Sequence, residues 1–167
     1  MKSLKEKNLK DLKRLIKHLP LNSKSKTLLI LKGHLIIEDL LRQYLDSRFQ
    51  SPKELNKCRL SFSQLLYLVK SFFKPKPNEW FWKAAIDFNS IRNDLSHQLE
   101  PDNVNSKIND FVNKVYSCTD FKIKPIDNSD EYLKLANAIS ILYLTISLKT
   151  HEHLSLAEGL KIYSENE

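Results

Sequence analysis

Apolar residues return every three or four positions along most of the chain, the period of an amphipathic α-helix rather than the alternation of a strand. In residues 3–19, Leu12, Leu15, Ile16 and Leu19 follow that spacing, while Lys2, Lys5, Lys10, Lys13 and Lys17 take the remaining surface and Pro20 ends the run. Asn22-Ser23-Lys24-Ser25 offers turn and N-cap chemistry for a second helix over about 25–48. Its apolar residues, from Leu28 to Leu31 and from Leu35 to Ile37, lie nearly all round the helix, which predicts a place at the centre of a bundle. Glycine costs a helix about 0.5–1 kcal/mol relative to alanine, so Gly33 within this segment predicts that another helix passes close to it.

Pro52 opens an irregular or short helical link. Ser61-Phe62-Ser63-Gln64 is a capping-box pattern leading into Leu65, Leu66, Leu68, Val69, Phe72 and Phe73, and Lys74-Pro75-Lys76-Pro77 cannot continue that helix. Asn78 is expected to cap the next one, with Trp80, Phe81, Ala84, Ala85, Phe88, Ile91 and Leu95 on one stripe. Pro101-Asp102 restarts the chain into a helix over about 103–117, with Val104, Ile108, Phe111, Val112 and Val115 turned inward. A loop through Lys124 to Asn128 leads to a last helix over about 129–150, carrying Leu135, Ile139, Leu142 and Ile146. After His151 the pattern predicts a short amphipathic turn and a loose polar end.

The fold class expected is therefore all-α: one helical bundle of about five to six helices across residues 1–167, with its core at about 25–150. Composition agrees, since only 2 glycines in 167 residues leave little for the tight turns of a sheet-rich fold. Cys58 and Cys118 stand far apart with no CxxC pair and read as reduced thiols. The first residues lack the apolar core of a secretory signal, and the most apolar stretch, from Leu133 to Leu148, is interrupted by Lys134 and Asn137. It falls short of the roughly 20 residues that span a bilayer. A cytoplasmic protein without a membrane partner is the expectation.

Charge adds a direction. The 27 basic against 20 acidic side chains leave +7, a balance that attracts polyanions at long range and favours them through counterion release. Lysines on the first helix can meet phosphates or simply solvate its outer face. Common signatures of ATP, NAD and zinc chemistry are missing: there is no glycine-rich phosphate loop, no GxSxG, no zinc spacing and no paired-carboxylate motif. His151-Glu152-His153 has no supporting carboxylate or cysteine cluster, so neither a metal nor another cofactor is expected. Trp80 and Trp82 can stack on bases, although Trp80 falls on the core stripe.

The candidate chemistry lies in Arg92-Asn93-Asp94-Leu95-Ser96-His97 at the end of the Trp80 helix. Arginine stays cationic at any working pH and histidine exchanges a proton near neutrality. Such a pair can cleave an RNA phosphodiester without a metal. Histidine serves as general acid or base, and the arginine fork stabilises charge on the phosphoryl oxygens. Attack by the 2′-hydroxyl would spare DNA. Asn93 can both donate and accept, and so can orient the phosphate or His97.

Five helical residues put Arg92 and His97 about 140° apart. They converge if the helix frays at Ser96-His97, if the long arginine bends round, or, as the favoured arrangement, if two protomers complete a shared site. A bland alternative also stands: Arg92 pairs with Asp94, Glu100 or Glu38, and His97 is a cation at a helix C-terminus. On the second helix, His34 and Glu38 stand at i and i+4. They read as a satisfied polar pair or as a supporting part of a site.

With this motif at the end of a bundle helix, the chain resembles the HEPN superfamily of small all-helical proteins. Arg92-Asn93 and His97 match its arginine–polar–gap–histidine pattern, with Leu95 and Ser96 giving the apolar and small positions common before the histidine. Gly33-His34-Leu35-Ile36-Ile37-Glu38 is similar to the early central helix of the mannitol-repressor-like subgroup. The resemblance covers roughly residues 25–150. It implies a metal-independent endoribonuclease, a toxin or defence effector acting as a dimer on RNA, held in check by an antitoxin or other regulatory protein. Equally, it includes non-catalytic members that bind and regulate, so whether this chain is an enzyme stays open.

Overall fold

The computed structural model describes residues 4–77, 79–97, 102–119 and 130–164. All regular structure among these is helical: α1 (Leu4–His18), α2 (Lys26–Arg48), α3 (Pro52–Lys57), α4 (Phe62–Lys70), α5 (Trp80–His97), α6 (Val104–Cys118) and α7 (Glu131–Ser164). The all-α expectation holds, with seven helices instead of five to six. The addition is α3, where Pro52 supplies the preset φ of a first helical turn in the predicted link.

Local chemistry explains most boundaries. Ser25 caps α2 by accepting from the Leu28 amide. Ser61 and Gln64 form the reciprocal capping box at α4. The expected cap at Asn78 and the loop from Lys124 to Asn128 lie outside the described residues, as do Pro101 and Glu100. α7 departs furthest from expectation, since it continues as helix well past residue 150. No proline interrupts it, and two of its side chains are tied to neighbouring helices: His151 to Asp11 of α1, and His153 to the Tyr44 hydroxyl of α2.

α2 and α7 form the centre, with Leu29, Ile30, Ile37, Leu41 and Leu45 on one and Leu135, Ile139, Leu142 and Ile146 on the other all at 0 % exposure. Gly33 marks their crossing with α5. A Cβ there would lie 2.7 Å from Ile139 Cγ2 and 3.3 Å from Phe88 Cζ, so the glycine permits the close approach its presence predicted. α5 and α6 form a hairpin across which Phe88 and Phe111 stack at 5.1 Å. Lys114 of α6 bridges to Asp87 of α5, and Lys107 to Asp94.

Two faces differ from the sequence reading. On α1 Leu15 and the acid Asp11 are buried, as is Leu19 just past its end, whereas Leu12 and Ile16 are exposed, at 39 % and 59 %. On α5 it is Trp82, at 1 % exposure, that enters the core, and Trp80 is half-buried at its edge. Burial removes Trp82 from any role in stacking on bases.

Among the described residues no helix is long and apolar enough to cross a membrane, and no group of histidine, cysteine and carboxylate side chains could hold a metal ion. His151 and His153 are two positions apart, about 200° around a helix, and they point to different neighbours.

Candidate functional site

Three helices meet in a polar seam. α2 brings His34, Glu38 and Arg42, the start of α4 brings Phe62 and Ser63, and the second half of α5 brings Asn89, Arg92 and Asn93. His34 lies on the inward side of a helix that is apolar nearly all round, and it is only 2 % exposed. A buried imidazole needs a partner. The partner is not Glu38, whose carboxylate lies 3.8 Å away, beyond hydrogen-bond reach. It is Asn89, with His34 Nε2 donating to Oδ1 at 2.9 Å. The Asn89 amide donates onward to Ser63 Oγ at 3.2 Å. The ring of Phe62 packs on His34 at 4.3 Å between centroids, closing it from water.

Electrostatics fix the protonation of that histidine. Burial pushes the His34 imidazole below its ordinary range, and the Arg92 guanidinium presses in the same direction. The hydrogen bond to Asn89 and the charge of Glu38 oppose this without reversing it. His34 is therefore neutral at pH 7, and the positive charge of the seam belongs to its arginines. Glu38 serves Arg42, with Oε1 accepting from Nη2 at 2.8 Å and from Nε at 3.2 Å. Arg42 also donates to the Leu60 carbonyl at 3.0 Å, which ties α2 to the approach to α4.

Arg92 stands differently. Its Nη1 donates to Asn93 Oδ1 at 3.2 Å, and no carboxylate among the described residues pairs with it. Both acids within the described residues that sequence spacing offered as partners are taken, Asp94 by Lys107 and Glu38 by Arg42. A half-buried guanidinium bonded to a neutral amide keeps most of its five donors available to an anion.

His97 is exposed at the last position of α5, and α5 stays helical up to it, so fraying before His97 does not occur. No hydrogen bond joins His97 to Arg92 within the chain. Asn89, Asn93 and His97 nevertheless follow at i, i+4 and i+8, within about 80° of one another on the helix. By leaning onto Asn93, Arg92 reaches towards the stripe that ends in His97. The structure thus brings His34, Arg92 and Asn93 into one seam and leaves Glu38 at its edge with Arg42. His97 stands at the exposed end of the same stripe.

Comparison with known proteins returns no match: no family model, no curated protein and no solved structure aligns with the chain.

Asn89, Ser63 and Arg42 belong to the seam although the sequence reading did not single them out. Asn89 was within reach of it, being three positions before Arg92 and four before Asn93 on one helix. Ser63 and Arg42 join through contacts across helices that no local spacing discloses.

A second polar cluster lies between α1 and α7. Ser147 Oγ donates to Asp11 Oδ2 at 2.5 Å, and His151 Nε2 donates to the same oxygen at 2.7 Å. Asp11 is 5 % exposed and Ser147 1 %. Burial pushes the Asp11 carboxyl up. The hydrogen bonds from His151 and Ser147, with the charges of His151 and Arg14, outweigh it and hold the group below its ordinary range. Serine, histidine and aspartate meet here, but the serine donates to the acid and not to the histidine. The histidine is not placed to take the hydroxyl proton, so the cluster reads as one that fastens helices together.

Proposed function

We propose that this protein is a metal-independent endoribonuclease of HEPN type, a toxin or defence effector that cuts RNA through Arg92 and His97. The observation that supports this most is the state of Arg92: cationic, half-buried, bonded to a neutral amide and matched by no carboxylate among the described residues. An arginine placed for stability alone would be expected to neutralise itself on a nearby acid, and here the nearby acids serve other cations.

In the proposed reaction Arg92 grips the scissile phosphate with its fork of donors, and Asn93 orients that fork. His97, solvated at the helix end, removes the 2′-hydroxyl proton or protonates the leaving 5′-oxygen. His34 is too enclosed to meet RNA. Neutral and bonded to Asn89, it holds the stripe of α5 that carries Asn93, and Glu38 keeps Arg42 in place beside it. Two protomers facing one cleft would supply both an acid and a base, so a homodimer is part of the proposal. An antitoxin or regulatory protein completes its setting.

The test is cleavage of labelled RNA in EDTA by purified protein, beside a substrate carrying a 2′-deoxy residue and beside His97→Ala purified identically. The proposal expects cutting of the RNA alone and none by the variant. Equal cutting by His97→Ala would remove it.

A second reading rests on the enclosure of His34 by Phe62 and Asn89, which makes part of the seam structural. In that reading the chain is a non-catalytic, mannitol-repressor-like module that binds and regulates a protein or nucleic acid. Absence of cutting by a folded parent, with a melting temperature that falls strongly in His97→Ala, favours it.

A further inference from the structure

α1 is attached to the bundle by one face and carries a second apolar face that nothing among the described residues covers. Leu15, Leu19 and Asp11 hold the inner side. Leu9, Leu12 and Ile16 lie within about 60° of one another on the outer side. Their exposures of 52 %, 39 % and 59 % are those of side chains that stand proud of the surface as a ridge. Beside the ridge, over the next roughly 100° of the helix, come Lys13, Lys17 and Lys10, all exposed. One acid, Glu6, is exposed within this lysine arc, whereas Asp11 is turned inward and bonded to Ser147 and His151.

We infer that α1 docks on an anionic lipid surface, lying in the plane of the interface with Leu9, Leu12 and Ile16 inserted and its lysines among the headgroups. An apolar stripe bordered by lysines on a surface helix is the pattern that gains both from burial in the acyl boundary and from attraction to anionic headgroups. Lysine stems reach along apolar surface while their ammonium groups stay in water, which suits Lys10, Lys13 and Lys17 beside the ridge. The lack of a spanning helix bears only on crossing a bilayer, and this helix would lie on one.

Other occupants fit the chemistry less well. A second copy docked ridge to ridge would bring lysines against lysines. RNA would use the lysines but give the aliphatic side chains nothing, and α1 carries no Phe, Tyr or Trp on which bases stack. α1 also need not detach to bind, because its anchors face the other way.

Co-sedimentation of the full chain with vesicles decides the matter. One vesicle contains phosphatidylserine and phosphatidylcholine in equal parts, the other phosphatidylcholine alone. The expected result is binding to the first that is at least about tenfold stronger than to the second. The same loss is expected for Leu9→Ser/Leu12→Ser/Ile16→Ser and for Lys10→Gln/Lys13→Gln/Lys17→Gln. All six positions are exposed, and circular dichroism checks that each triple variant keeps its fold. Four results would each overturn the inference. Two are no binding of the parent to anionic vesicles and binding undiminished in the leucine–isoleucine variant. Another is self-association without lipid that this variant abolishes, which assigns the ridge to a second copy. The last is retention of RNA, without vesicle binding, that is lost only in the lysine variant, which assigns the face to nucleic acid.

Discussion

The two polar seams of this bundle each enclose a histidine bond, yet they are built to opposite ends. Between α1 and α7, Asp11 receives Ser147 and His151 on one oxygen, and the charge of Arg14, itself bridged to Asp39, adds to their pull. Between α2, α4 and α5, His34 is kept neutral and bonded to an amide, and the Arg92 guanidinium is left with a neutral partner on a half-exposed rim. At Asp11 the buried carboxylate accepts two hydrogen bonds on one oxygen, which offsets the cost of burying it. With no acid paired to it among the described residues, Arg92 keeps donors that an anion could use. Similar residue types thus sit in a charge-matched contact on one side of the bundle and in a largely neutral one on the other.

The contrast predicts different costs for disturbing each seam. Asp11→Ala removes the acceptor of two buried donors and is expected to cost about 3 kcal/mol, since breaking a buried pair strands the remaining partner. Urea unfolding measures it, and hydrogen exchange should show α1 amides losing protection first. A cost near zero would mean that Leu15, Leu19 and the Arg14–Asp39 bridge to α2 suffice to hold α1.

Gly33→Ala tests the packing behind the other seam. The new methyl gains helix propensity but meets Ile139 Cγ2, a branched core group that cannot swing away. A net loss of about 1–2 kcal/mol is expected by chemical denaturation, and a gain would show that α7 yields at this crossing.

A smaller effect is written in pH. His34 has its folded pKa lowered from the ordinary 6.5, chiefly by burial. The unfolded chain therefore binds the extra proton first, and stability is lost as pH falls below about 6.5. His153, lowered by burial and by Arg48, adds to the same window. Asp11 acts lower. Its depressed pKa gives stability that is present above the ordinary 3.8 and is lost as pH falls through the folded value. His34→Gln should flatten part of the upper window and leave the acid limb unchanged, read from melting temperature against pH.

Much of this organisation was legible from residue order. Ser25, the Ser61–Gln64 box and Pro20 marked helix ends because caps and breakers act through neighbouring backbone, and Gly33 announced a crossing that two helices do make there. What escaped depends on partners distant in sequence. Asp11 looks like a surface acid until Ser147 and His151, over a hundred residues away, come to meet it. That contact turns α1 so that Leu12 and Ile16 face outward, against a stripe that read as core. His34 and Glu38 had the spacing of a pair, but Asn89 and Arg42 compete better for them.

On the proposed function, the seam ending in Arg92 serves RNA cleavage, whereas the one holding Asp11 serves stability. Arg92→Ala tests it most directly when RNA cutting and melting temperature are measured on the same preparation. Cutting is expected to fall by at least about a hundredfold, with the melting temperature within about 2 °C of the parent. A melting temperature that falls as far as that of Asp11→Ala, or cutting that survives the substitution, would contradict it.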